Sequence, residues 1–247
     1  MVLKILGSNS SGNAYVLQGK REVLLIECGV QIKEVMKAID FDLDPVKGCI
    51  ITHNHGDHFK YVDQFTAKGI DIYGSYGTLK DKCNGPYRHR CTVIKAKQTV
   101  KIGGFTVYPF DTIHDADESL GYMINHQESG NILFITDSAF TQYKFEGMNH
   151  LIVEANHSEE YLREKVLAGK MEYHVYKRLI DSHMSIETCE RLLLANDLTN
   201  VNNIVLIHLS DSNSHEERFK KTIEQKTGKN VFIATKGSTI NFNLNPF

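Results

Sequence analysis

Ile50-Ile51-Thr52-His53-Asn54-His55-Gly56-Asp57-His58 runs an apolar strand straight into three histidines and an aspartate. Polar groups packed this densely at the end of a buried strand serve no packing purpose, because each ring needs a polar partner once it is desolvated. Imidazole nitrogen and carboxylate oxygen are the atoms that zinc and similar divalent ions take as ligands. The alternation turns His53 and His55 toward one ion, and the following turn brings Asp57 and His58 toward a second.

A two-ion site needs more ligands than one loop supplies, and further strand ends offer them. His114 follows the apolar run Phe105–Phe110 in DTIHDAD, Asp137 closes Ile132–Thr136, and His208 closes Ile204–Ile207. Taken singly, a His or Asp at a strand end reads more readily as a satisfied loop residue. Their joint order after the histidine-rich loop favours the ligand reading.

Alternating or short apolar runs predict strands over 2–6, 14–17, 22–26, 49–52, 70–73, 105–110, 120–125, 131–136, 151–154, 204–208 and 231–235. Helical spacing predicts helices over 32–39, 159–167, 186–195 and 215–226. Each of the last three follows a serine suited to N-capping, and Ser214 with Glu217 has a capping-box pattern. Strands and helices mix from end to end without a Pro/Ser-rich linker or a repeat, so residues 1–247 read as a single α/β domain. Two sheets covered by outer helices is the simplest layered solution.

The 247 residues are 41% hydrophobic and 23% charged, an ordinary globular composition. The formal charge of −2 gives no global bias toward nucleic acid and leaves a local basic groove open. No apolar run approaches the roughly 18 residues of a membrane span, and Met1–Leu6 does not read as a signal peptide. The chain is therefore expected in the cytoplasm, with no membrane partner. Five cysteines without a CxxC pair suit reduced thiols. Cys83, His89 and Cys91 are close enough to raise a structural zinc site, but form an incomplete set.

With these residues in place, HNHGDH and the later His, Asp and His resemble the metallo-β-lactamase superfamily over essentially the whole chain. The resemblance implies a four-layer αββα sandwich with the metals at one edge between two sheets. It implies that His53, His55 and His114 hold the first ion, that Asp57, His58 and His208 hold the second, and that Asp137 bridges. The oxygen-reducing diiron branch carries glutamate where this chain has His55, a departure that favours a hydrolase. Further blocks resemble the YycJ (WalJ) branch, relatives of RNase Z and RNase J regarded as DNA exonucleases. These are GSNSSGNA (Gly7–Ala14), HDADESLGY (His114–Tyr122), VEANH (Val153–His157), HMS (His183–Ser185) and IHLSDSN (Ile207–Asn213). LIECG places Glu27 where the superfamily usually shows Asp, so Glu27, like Ser210, is expected behind the ligands. The interval from Asp137 to His208 is too short for the large insertion of the RNase J type.

The reading that follows is a dinuclear metal hydrolase, zinc or else manganese, acting on nucleic acid with DNA favoured. Two ions roughly 3.5–4 Å apart can hold a hydroxide nucleophile and stabilise both oxygens of an in-line phosphoryl displacement. Asp57 and His183 are the catalytic candidates. His183 resembles the histidine of RNase Z-like enzymes that protonates the leaving oxygen. Ser8, Asn9, Ser10, Ser11 and Asn13 could present donors to a phosphate, or form a plain turn. Asn156 and His157 are further pocket candidates. The alternatives are a small-molecule ester, thioester or cyclic nucleotide hydrolase of the same fold, and a binding protein without turnover, against which the full ligand set argues. Oligomeric state is left open.

Overall fold

The computed structural model describes residues 1–82 and 85–245; the zinc reading that needs Cys83 lies outside them. Among the described residues fourteen strands form two seven-stranded sheets. The first sheet holds β1 (Val2–Gly7), β2 (Ala14–Gln18), β3 (Val23–Ile26), β4 (Val46–Ile50), β5 (Ile72–Gly74), β6 (Cys91–Val93) and β14 (Thr239–Asn241), in the order β14-β1-β2-β3-β4-β5-β6. The second holds β7 (Val100–Ile102), β8 (Phe105–Asp111), β9 (Leu120–His126), β10 (Gly130–Ile135), β11 (Met148–Glu154), β12 (Asn203–Ile207) and β13 (Asn230–Ile233), in the order β13-β12-β11-β10-β9-β8-β7.

In each sheet one half is antiparallel and the other parallel: β3 to β6 run together, as do β10 to β13. Among the parallel strands, β3 and the Ile204–Ile207 run of β12 are continuously apolar, as strands buried on both faces are.

Period-two alternation sorts these runs into three cores. Leu24, Ile26, Ile50, Ile132, Phe134, Ile152, Val205 and Ile207 meet between the sheets with Tyr15 and Tyr122. Leu133, Ile135, Leu151, Val153, Ile204 and Leu206 face outward beneath α7 (Ile186–Leu194) and α8 (Glu216–Thr227). Leu25, Cys49 and Ile51 face outward beneath α1 (Ile32–Ala38) and α3 (Val62–Ala67). The layers are therefore αββα. Cys28, Cys49 and Cys189 are buried free thiols. Among the described residues no helix is long and apolar enough to cross a membrane.

The expected elements are present with ends shifted by up to three residues. Three short strands were not expected (β6, β7 and β14), nor were α2 (Gly56–Phe59), α3, α4 (Tyr76–Leu79) and α6 (Tyr173–Ser182). Ser158 and Ser185 cap α5 (Glu159–Leu167) and α7 as expected. Ser214 does not cap α8: its hydroxyl donates to the Ser210 carbonyl, and the His215 side chain accepts from Arg218 N instead.

Candidate metal centre

The carboxyl ends of the parallel strands of both sheets meet at one edge, where α/β sheets place their ligands. Leu120 N donates to Thr52 O at 3.0 Å and the Tyr122 hydroxyl to Ile51 O, tying the sheets together there. Three residues just beyond strand ends, Glu27, Asp137 and His208, have φ of 65°, 45° and 53°. Simple alternation would send each toward a helix layer, because Ile26 and Ile207 already face the core between the sheets. The left-handed backbone turns all three into the edge instead. This conformation is disfavoured for residues with a Cβ.

His53, His55 and His114 form one group, with ring centroids 4.6–4.8 Å apart and steeply inclined planes. His114 Nδ1 donates to Ser182 O at 2.8 Å, which leaves Nε2 its lone pair, 3.0 Å from His55 Nδ1. Burial lowers His114, and burial with the neighbouring His58 lowers His53 well below the ordinary value, so both are in the neutral form that a metal requires.

Asp57, His58, Asp137 and His208 form a second group. Asp137 Oδ2 lies 2.6 Å from His58 Nε2 and 3.3 Å from His53 Nε2, and so touches both groups. Asp57 Oδ2 lies 3.2 Å from both His58 Nε2 and His208 Nε2. Burial alone would raise the carboxyls of Asp137 and Asp57. The histidines beside them reverse that and hold both well below the carboxylate range. Burial would likewise lower His58 and His208, but Asp137 outweighs it: His58 is raised well above its ordinary value and His208 to about 9. Protons on these rings supply the positive charge that the buried carboxylates demand, at the place a divalent cation would supply it. The donor set is all nitrogen and oxygen, the ligand atoms within each group lie within 4.8 Å of one another, and the buried His53 Nε2 has no hydrogen-bond partner. These residues fit a pair of divalent ions.

Glu27 sits behind the groups. Thr52 Oγ1 donates to Glu27 Oε1 at 2.6 Å and contacts His53 Nδ1 at 2.9 Å, and the same carboxylate lies 3.3 Å from His58 Nδ1. A carboxylate behind a ring fixes its tautomer and orientation.

His183 lines a cleft of about 320 Å³ with Ser10, His55, Asp57, Asp137, Asn156, Arg178 and His208. Its Nδ1 is 2.8 Å from Glu154 Oε1 and 3.1 Å from Asp137 Oδ1, and its ring lies parallel to His208 at 5.5 Å. Burial opposes its charge, but Glu154 and Asp137 prevail and raise it to about 10.

The serine and asparagine loop is divided between scaffold and cleft. Asn13 is buried, and its Nδ2 donates to Asp57 Oδ2 at 3.1 Å and contacts His58 Nε2 at 3.0 Å. Ser8 Oγ accepts from His208 N at 3.0 Å. Asn9 accepts from Ser11 N in a local turn, and of the five residues only Ser10 lines the cleft. Asn156 Nδ2 donates to the His208 carbonyl at 2.9 Å and lies 3.1 Å from the ring Nδ1. Ser210 lines the cleft rather than standing behind a ligand. His157 does not reach the cleft: it is fully buried beneath α7, with both ring nitrogens unpartnered.

Two polar residues at the site escaped the sequence reading, Glu154 behind the cleft and Arg178 on its wall. Glu154 is fully buried and also accepts from Ser138 N and Met184 N, at 3.1 and 3.0 Å. Its signal was the alternation: Ile152 faces the inter-sheet core, so Glu154 and Asn156 share that face, while Val153, Ala155 and His157 face the helices. Arg178, on α6, donates to Asp115 Oδ2 at 3.2 Å, and Asp115 Oδ1 lies 3.2 Å from His114 Nε2. No chain signal marked this pair.

A family model described as the beta-lactamase superfamily domain matches residues 23–209. The exodeoxyribonuclease WalJ of Streptococcus pneumoniae is 25% identical over 226 residues, covering 86% of this chain and 83% of that protein. Among solved structures, the metallo-beta-lactamase fold protein YhfI of Bacillus subtilis superposes with a TM-score of 0.73 at 17% identity, over 97% of this chain and 99% of its own. The short form of human tRNase Z superposes with a TM-score of 0.66 at 16% identity, over 98% and 99%. At these identities the two superpositions establish the fold.

Proposed function

The chain belongs to the beta-lactamase superfamily and is a metal-dependent hydrolase of that fold, and we propose that its substrate is nucleic acid, cleaved as by a DNA exonuclease. The observation that carries the reading is a histidine held by a buried carboxylate at the rim of a cleft floored by two ligand groups. The exodeoxyribonuclease name of its relative supports the choice of DNA.

In this reading His53, His55 and His114 would hold one divalent ion and Asp57, His58 and His208 the other, with Asp137 within reach of both groups. Bound there, the ions would acidify water and offset charge on the phosphoryl oxygens. Zinc is the first expectation and manganese the second. The protein's own groups do the rest. Asn13 fixes Asp57, and Ser8 and Asn156 hold the His208 backbone at its N–H and its carbonyl. Glu154 takes the Nδ1 proton of His183 in a hydrogen bond, leaving Nε2 for the cleft. With its charge favoured by the two carboxylates, His183 carries a proton at neutral pH and delivers it to the departing sugar oxygen. Arg178 at the cleft wall offers a guanidinium to a neighbouring phosphate.

The test is an assay of metal-replete protein on end-labelled single- and double-stranded DNA and RNA, beside a thioester and bis-p-nitrophenyl phosphate. Stepwise release of nucleotides from DNA is expected. Turnover of the thioester with no cleavage of any nucleic acid would replace this reading with a small-molecule hydrolase.

A further inference from the structure

A cavity of about 850 Å³ lies beside the cleft. Ile113, Ala139, Phe140, Thr141, Tyr143, Ile180, Asp181 and Arg191 are among its walls. The two spaces share their chain segments. On α6, Arg178 and Leu179 face the cleft while Ile180 and Asp181 face the cavity. Ile113 precedes His114, and Phe140 follows Asp137 by three residues. Ser138 Oγ joins them, accepting from Ile113 N at 3.1 Å and donating to Phe140 O at 2.8 Å.

Two features of this wall have no folding explanation. Phe140 is 49% exposed and makes none of the ring contacts that tie Tyr143 to Phe110 and Phe145, and Ile113 beside it is 41% exposed. Large apolar side chains left in water at a cavity mouth mark a place where something flat and apolar is received. The polar lining narrows the choice. Glu159 is already engaged by Arg163 at 3.2 Å, Arg191 at 3.7 Å and Ser185 Oγ at 3.0 Å, which leaves the Asp181 carboxylate as the charged acceptor of the lining. A ring N–H or exocyclic amino group finds an acceptor there, and a phosphate does not.

We propose that this cavity is a nucleobase pocket, in which the base of a nucleotide near the scissile phosphate stacks on Phe140. The inference rests on the cleft being a nucleic-acid site and extends it to base recognition. The sugar–phosphate backbone then passes over the shared wall, with phosphates on the Arg178 side and the base on the Phe140 side. Base–aromatic stacking tolerates any sequence, which suits an exonuclease that must accept successive nucleotides.

The experiment pairs two truncations. Binding of the metal-replete full chain to a single-stranded oligodeoxynucleotide with cleavage-resistant phosphorothioate ends is measured by fluorescence anisotropy. It is measured for wild type, Phe140→Ala and Phe140→Trp. A single abasic residue is then moved stepwise through the nucleotides nearest the end. Phe140→Ala is expected to weaken binding about 5- to 150-fold, the range for one lost stack, and Phe140→Trp to retain it. At one position the abasic residue should weaken wild type by the same factor and cost Phe140→Ala nothing further. If Phe140→Ala binds as wild type does, or the two penalties multiply at every position, the pocket is refuted and the assignment of the cleft stands. If wild type neither binds nor cleaves any oligonucleotide, both fall together.

Discussion

Replacing His157 with leucine separates a buried structural histidine from a substrate contact. The ring is fully buried, and burial lowers its pKa to about 4. In the unfolded chain a histidine titrates near 6.5. The fold therefore holds the neutral form, and its contribution is complete above about pH 6.5 and lost as pH falls toward 4. That gap corresponds to about 3 kcal/mol when fully expressed and about 2 kcal/mol at pH 5, a sizeable part of a typical stability of about 5–15 kcal/mol. Leucine fills a similar volume and has no proton to take up. Urea unfolding at about pH 7.5 and about pH 5, in one metal state, should show wild type losing about 2 kcal/mol more than His157→Leu across that interval. Groups common to both proteins cancel in the difference. Because the ring faces the helix layer, KM for an oligonucleotide should be unchanged. Equal losses of stability in the two proteins would refute the buried neutral histidine, and a raised KM would return His157 to the substrate.

His183→Ala should slow cleavage of nucleic acid by about 10²–10⁴-fold and leave metal content intact, while an activated aryl phosphodiester, whose phenolate needs little protonation, should lose much less; equal losses on both would mean that His183 shapes the cleft instead. Asp57→Ala should abolish turnover and lower the metal stoichiometry with far-UV circular dichroism unchanged, since its side chain serves the ligand group and gives the scaffold a single bond, from Asn13 Nδ2, while its carbonyl keeps the bond to Asn13 N; full activity with both ions retained would contradict the ligand set. Chelator-stripped protein should lose activity, regain it on adding zinc or manganese, and melt at a lower temperature than the reloaded protein, because ions that bind only the fold stabilise it by mass action; a melting temperature indifferent to metal would count against the site.

The residues proposed as ligands were legible because they break a rule. Histidine and aspartate do not belong at the ends of runs such as Ile204–Ile207 unless something there needs them. The sandwich was legible for the complementary reason, since continuous apolar runs must be covered on both faces. What stayed hidden was what tertiary structure alone supplies. Strands β6 and β7 have three residues each, too few for alternation to register. Helix α6 begins after Glu172, whose side chain makes no capping bond, so it carried no start signal, and the helical spacing of Tyr176, Leu179 and Ile180 was its only mark. Ser214 shows the opposite error, a correct capping pattern bypassed because its hydroxyl is engaged by Ser210. Glu154 was within reach: counting faces along Ile152, Glu154 and Asn156 identifies it, and the same count removes His157 from the cleft.

The left-handed backbone at Glu27, Asp137 and His208 sets durability and chemistry against each other at three addresses in the chain. Each such residue costs roughly 1–2 kcal/mol of conformational preference, which glycine would not incur. Glycine at these positions would relieve that cost but leave buried partners uncompensated, since Asp137 Oδ2 lies 2.6 Å from His58 Nε2 and Glu27 accepts from Thr52 Oγ1 at 2.6 Å, and stripping one partner from a buried pair costs about 3–5 kcal/mol. The strain is thus borne for the polar cluster as a whole, and only a change that removed the partners as well would release it.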